Sequence, residues 1–149
     1  MQPGSAAHGD CVVRRLEQAD DVASAWPVVR QLRPHLDLAG FVEAVARQRN
    51  EGFRCAALYD AGRCVAFAGY RVQTMLAHGR FLYVDDLVTD ENLRGKGYGA
   101  RLLDWLSAEA RDAGCSGLQL DSGTHRQEAH AFYFGRGLRV TSFHFARKL

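Results

Sequence analysis

Several things are scarce in this chain, and each scarcity excludes a class of protein. The 149 residues hold three prolines, at 3, 27 and 34, and show no linker and no low-complexity tract. The four cysteines, at 11, 55, 64 and 115, form no C-x-x-C pair, and none sits near a His at the spacing of a zinc site. They read as reduced and mostly buried thiols. No apolar run approaches the roughly 20 residues that a membrane span requires, and the first ten residues lack the charged-then-apolar order of a signal peptide. Charge of one sign is also missing. The formal net charge is +2 and the basic residues are scattered, so no nucleic-acid or membrane field is implied. No internal repeat is present. The expectation is a soluble, cytoplasmic protein with a short flexible lead-in over residues 1–10 and a single domain over 11–149.

What is present is a regular alternation of strand-like and helix-like stretches. Cys11 to Leu16 reads as a strand. Gln18-Ala19-Asp20-Asp21 reads as a helix entry, with acids at the positive end. Val22 to Leu32 is helical in period, and Pro27 inside it marks a kink or a restart. Leu38 to Arg49 carries an apolar stripe of Phe41, Val42, Val45 and Ala46. Phe53 to Tyr59 and Arg63 to Gln73 are β-rich runs around Asp60-Ala61-Gly62, a hairpin turn. Phe81 to Thr89 is a third strand of this meander. A helix from about Gly97 to Asp112 follows, stopped by Gly114. Gly117 to Asp121 is a short strand. Thr124 to Gln127 fits a capping box for a helix that runs to about Gly135 or Arg136. Leu138 to Phe145 reads as a last strand, whose exposed edge leaves a homodimer open. The order β-α-α-β-β-β-α-β-α-β predicts an α/β fold with a mixed sheet. The sheet is mostly antiparallel, with one parallel pair around the helix at 97–112, and helices cover both faces.

The most telling stretch is Arg94-Gly95-Lys96-Gly97-Tyr98-Gly99-Ala100, between a strand and a helix. Glycines let main-chain N–H groups turn outward with no Cβ in the way. A helix N-terminus behind them adds unpaired donors and partial positive charge, which together suit a phosphate or diphosphate. The ATP-type phosphate loop is excluded, because Lys96 is followed by Gly97 and the required spacing is absent. The dinucleotide fingerprint is a closer rival: Gly95, Gly97 and Ala100 fit G-x-G-x-x-A, and Asp121 lies about 20 residues on. Against it, five residues, Asp90 to Arg94, separate the strand from the glycines. Too little chain also follows Asp121 to build further parallel units.

Leu87 through Gly99 resembles the acetyl-CoA signature of the GNAT superfamily of N-acetyltransferases, with Arg94, Gly97 and Gly99 at its marked positions. A second landmark of that family, an Ala followed by an aromatic pair and a Gly on the next helix, is matched by Ala129 to Leu138. The tail from Arg126 to Phe145 is similar to small-amine members such as aminoalkylphosphonate N-acetyltransferases. The resemblance implies transfer of an acetyl group from acetyl-CoA to a primary amine, of a small molecule in the first instance. A protein N-acetyltransferase and a non-catalytic acyl-CoA-binding module are the rivals.

The resemblance also implies roles. The main chain of Arg94, Gly95, Lys96, Gly97, Tyr98, Gly99 and Ala100 would hold the CoA diphosphate. That of Leu87, Val88 and Thr89 would pair with the pantetheine arm. Arg126 stands where many relatives place a CoA-contacting Asn. Tyr133 stands where the family commonly has the acid that protonates the leaving thiolate. For the base there are three carboxylates, Asp86 first, then Asp85, with Asp121 after them. Strand alternation puts Asp85 and Asp86 on opposite faces unless a bulge intervenes. The aminoalkylphosphonate-type relatives carry a Glu at the position matching Tyr83, so their base does not transfer to this chain. His125 and His130 flank the site helix with no third residue spaced to complete a metal site.

Overall fold

The computed structural model describes residues 10–149. The flexible lead-in expected at the N-terminus falls, apart from Asp10, outside the described residues. Among those described, the sheet has five strands in the order β1-β2-β3-β4-β5: β1 Cys11–Arg15, β2 Arg54–Asp60, β3 Arg63–Met75, β4 Gly79–Thr89 and β5 Gly117–Leu120. The first four form an antiparallel meander, and β4 and β5 are the parallel pair. The amide of Ser116 donates to Arg80 O at 2.8 Å and ties the start of β5 to the start of β4.

Three helices fill the connection from β1 to β2: α1 Ala19–Ser24, α2 Trp26–Leu32 and α3 Leu38–Arg49. Pro27 produces a restart. It sits in the first turn of α2, where its missing N–H costs nothing. Asp37 caps α3, its carboxylate accepting from the Gly40 amide at 2.7 Å. The apolar faces of these helices, with Val22, Val28, Val29, Phe41 and Val45, pack on Cys55, Ala57, Phe67 and Val88 of the sheet.

The alternate strand residues, Ala56, Leu58, Ala66, Ala68 and Tyr70, are equally buried and point the other way. There Tyr70 meets Trp105 of α4 Tyr98–Asp112 edge-on. Leu102, Leu103, Leu106 and Ala110 form the buried stripe of α4.

The β2–β3 hairpin turns on Ala61 (φ 50°) and Gly62 (φ 79°), both left-handed, as a two-residue primed turn demands. Cys55 and Cys64 are buried free thiols whose pKa values burial pushes up to about 11.

Two compact units are distinguished, Met1–Gln119 and Leu120–Leu149. The second holds helix α5, Gln127–Gly135. Two expectations fail here. The capping box does not form: the helix starts at Gln127 behind Arg126, with no side-chain cap. The backbone has already turned through Thr124 and His125, closed by the Arg126 amide on Gly123 O at 3.0 Å. The stretch Leu138 to Phe145 is not a strand, and residues 138–149 adopt no regular structure. Val140, Phe143 and Phe145 are largely exposed. A strand exists only against a neighbour's ladder, and none pairs with this stretch among the described residues.

Candidate active site

The glycine segment is where the sequence places it, and its backbone has the conformation that exposes donors. Gly95 (φ 81°) and Gly97 (φ 84°) are both left-handed, with open space where a Cβ would be. Gly97 is the N-cap of α4 and, having no side chain, leaves the first helical N–H groups without a cap. The first bond of the helix runs from the Arg101 amide to Gly97 O at 3.0 Å. The amides of Tyr98, Gly99 and Ala100 therefore lie at the positive end of a fifteen-residue helix. This set of donors fits an anion such as a diphosphate. Side chains anchor the helix start: the Tyr98 hydroxyl bonds to the Asp60 carboxylate, and Arg101 Nη2 donates to Cys11 O at 3.3 Å.

A device that the sequence reading missed holds the entrance to this loop. Asp90, directly after β4, is 4% exposed. Its Oδ1 accepts from the Asn92 amide at 3.1 Å, capping a short 3-10 turn over Glu91–Leu93. Its Oδ2 is 3.1 Å from Arg63 Nη2. Gln31 of α2 spans the junction. Its Oε1 accepts from the Glu91 amide at 2.9 Å, and its Nε2 reaches Asp90 Oδ1 at 3.5 Å. The Asn92 amide, then Gln31 and Arg63, hold the Asp90 pKa below its ordinary value. An Asp followed by a short polar run and a glycine loop was the available local signal. Gln31 gave none.

The two central carboxylates do not face opposite ways. Gly69 of β3 pairs with Asp86, and Tyr70 with Val84, so Asp85 is the extra residue of a β-bulge. Asp86 and Asp85 both turn toward the α2–α3 side. Arg33, just past α2, donates from Nε to Asp86 Oδ1 at 2.8 Å. Arg71 Nε donates to Asp85 Oδ2 at 2.8 Å, and its Nη2 donates to Gln48 Oε1 of α3 at 2.8 Å. Asp85 Oδ1 is buried with no partner. Burial raises the Asp85 pKa, with Arg71 opposing and Asp86 reinforcing the rise. Gly69 makes the crowding tolerable, because a Cβ there would lie 2.5 Å from the Phe53 ring and 2.8 Å from Asp86 Oδ2.

In front of Asp86 is a cavity of about 350 Å³. Its wall is apolar where Val29, Phe41, Val45, Phe53 and Phe67 contribute, and polar at Arg33, His35, Gln48 and Asp86. Leu87, Val88 and Thr89 continue β4 from the carboxylates to Asp90, pairing with Ala68, Phe67 and Ala66. The strand thus leads from the cavity to Asp90 and the 3-10 turn ahead of the glycine loop.

The second unit holds the remaining candidates. Tyr133 on α5 has its pKa raised by burial, with Arg126 opposing, so its phenol is a neutral donor at pH 7. It stacks edge-on with Phe132. His130 and His125 have local tasks: His130 Nε2 is 2.8 Å from Gly123 O, and the His125 ring covers Gly123. Asp121 is exposed, with His144 Nδ1 3.7 Å away. No cluster of three His, Cys, Asp or Glu able to hold a metal occurs among the described residues.

Comparison with known proteins decides the family. Residues 16–137 match the model of the acetyltransferase (GNAT) family. The chain belongs to the GNAT family. An uncharacterised N-acetyltransferase of Bacillus subtilis is 32% identical over 137 residues, 91% of this chain and 96% of that protein. The aminoalkylphosphonate N-acetyltransferase of Salmonella typhimurium is 32% identical over 135 residues, 87% of this chain and 86% of that one. Among solved structures, a Trypanosoma brucei acetyltransferase superposes with a TM-score of 0.75 at 25% identity, covering 94% of this chain and all of that one. This GNAT chain is therefore an acyl-CoA-dependent N-acetyltransferase that transfers to an amine. The dinucleotide reading falls with this result, and residues 90–97 show its physical reason. A capped 3-10 turn separates β4 from α4, where the dinucleotide motif needs a tight strand-to-helix turn. No described helix is long and apolar enough to cross a membrane.

Proposed function

We propose that this GNAT enzyme acetylates the primary amine of a small molecule, using acetyl-CoA, by direct attack of the amine on the thioester. The observation that carries the reading is the cavity of about 350 Å³ with Asp86 in its wall. That volume suits a small ligand, whereas a peptide needs an open groove. The Salmonella relative, named for aminoalkylphosphonates, supports an acceptor of that size.

Acetyl-CoA supplies the activated acyl carbon. Its diphosphate rests on the amides of Arg94, Gly95, Lys96, Gly97, Tyr98, Gly99 and Ala100, and its pantetheine arm runs along Leu87, Val88 and Thr89. Arg126 adds a contact to the nucleotide end. The entering ammonium is held by Asp86 and gives its proton to the Asp85–Asp86 pair, in which the raised pKa of Asp85 favours acceptance. The freed nitrogen bonds to the carbonyl carbon, the carbon–sulfur bond breaks, and the nitrogen's second proton leaves to water. Tyr133 gives its proton to the departing sulfur and regains one from water.

The test is release of the CoA thiol from acetyl-CoA across a panel of small primary amines and of peptides bearing lysine or free N-termini. Saturable turnover with small amines, and little with peptides, is expected. Faster turnover with peptides would make the protein-directed reading the right one.

A further inference from the structure

We propose that Arg33 is the specificity-determining residue of the cavity, and that it selects acceptors carrying an anionic group beside the amine: amino-carboxylate or amino-phosphonate zwitterions. The inference rests on the acetyltransferase reading above and narrows its substrate class.

The argument begins with charge. Arg33 and Asp86 both line the cavity and are ion-paired, Nη2 to Oδ1 at 2.7 Å. Behind them Arg71 neutralises Asp85. The four charges cancel. A plain alkylammonium entering this space adds an uncompensated positive charge and must compete with a guanidinium for Asp86. A zwitterion adds none.

The geometry of the pair leaves places for both ends of such a ligand. Arg33 spends Nε and Nη2 on a single oxygen of Asp86, with Nη2 also 3.4 Å from Asp85 O. Among the described residues Arg33 Nη1 has no partner, and Asp86 Oδ2 has no donor. These two cavity-lining residues thus keep an unused cationic donor and an unused anionic acceptor between them. An acceptor's carboxylate or phosphonate can take the guanidinium corner while its ammonium takes Oδ2. Arg33 is suited to this exchange. It lies just beyond the last turn of α2, and its side chain is 41% exposed against 19% for Asp86. His35 and Gln48 also line the cavity and bring further polar atoms to it.

Specificity of this kind works by leaving charges unpaired when the wrong ligand binds. It therefore reverses when Arg33 loses its charge. The experiment compares β-alanine and aminomethylphosphonate with β-alanine methyl ester and propylamine. It uses wild type, Arg33→Gln and Arg33→Lys, reading both kcat/KM for CoA release and calorimetric binding in the presence of CoA. Expected for wild type is a preference of at least about tenfold for the zwitterions. Arg33→Gln should lose that preference through KM, which rises at least about tenfold more for the zwitterions than for propylamine. Arg33→Lys should keep part of the preference, and the better of the two zwitterions identifies the anion. Equal use of propylamine and β-alanine by wild type would overturn the inference and leave the acetyltransferase reading intact, as would an equal loss for all four amines in Arg33→Gln. Zwitterion binding that depends on Arg33, with no thiol released from any amine, would instead sustain the inference and sink the transfer reaction. Thermal melting of each variant separates these outcomes from misfolding.

Discussion

Asp85 and Asp86 are consecutive residues of one strand, yet both carboxylates face the same cavity-bearing side of the sheet, because the β3–β4 bulge consumes Asp85 as its extra residue. In the proposed reaction, two acids on one face, each with its own arginine, would handle the proton as a pair. The expected consequence is a pH profile. Burial lifts the Asp85 pKa, so the ionised, proton-accepting form is lost as pH falls through a value above the ordinary Asp range of about 3.9. The acid limb of kcat/KM should lie above that range and disappear in Asp85→Asn. Asp86→Asn should lower kcat/KM by about 10²–10⁴-fold, the usual worth of a positioned base. Steady-state kinetics between pH 5 and 9 would check both.

Asp90 should matter to stability and to the donor substrate together. Its pKa is lowered in the folded chain, so its contribution is present above the unfolded value of about 3.9 and is lost as pH falls through the folded value. Asp90→Ala should cost about 1–3 kcal/mol at pH 7 and raise the acetyl-CoA KM more than it lowers kcat. Asp90→Asn should flatten the loss of stability in acid. Urea melts at pH 7 and pH 3, with donor kinetics, measure each.

Gly97→Ala places a Cβ in open space but forces an L-residue to φ 84°. A cost of about 1–2 kcal/mol is expected, with a raised acetyl-CoA KM and an acceptor KM close to that of wild type. Donor and acceptor titrations on one preparation separate the two effects.

Gly69→Ala is the opposite case, an ordinary backbone with no room. Its Cβ meets the Phe53 ring at 2.5 Å. Overpacking should destabilise by about 1–3 kcal/mol, and the displaced Asp86 should lower activity even at temperatures where the fold is intact. Thermal melting and kinetics at 25 °C would show this.

Tyr133→Phe keeps the ring that stacks on Phe132 and removes only the phenolic proton. Turnover should fall by about 10²–10⁴-fold with the acetyl-CoA dissociation constant nearly unchanged. If turnover stays at the wild-type rate, another proton donor serves the sulfur.

The parts legible in the sequence were those with a local cause. Alternation marked the meander, Pro27 marked a helix start, and the glycines with the stripe Leu102, Leu103, Leu106 and Ala110 placed the loop and α4. What escaped depends on partners far along the chain. Gln31 grips Asp90 from 59 residues away. The bulge at Asp85 follows from how β4 registers on β3 and from what Gly69 must accommodate. The stretch Leu138 to Phe145 has strand composition, but composition does not supply a neighbour to pair with. Thr124 and Gln127 have the right spacing for a cap, and a tighter turn took their backbone first.

The left-handed glycines at 95 and 97 leave a segment that presents peptide groups rather than side chains, whereas the cavity beside Asp86 is built from side chains. Recognition by peptide groups survives substitution at the segment's non-glycine positions, since every residue but proline carries the same amide. On the proposed reading, single replacements around Arg33 would trade one acceptor for another, while main-chain donors would go on holding the same acyl donor.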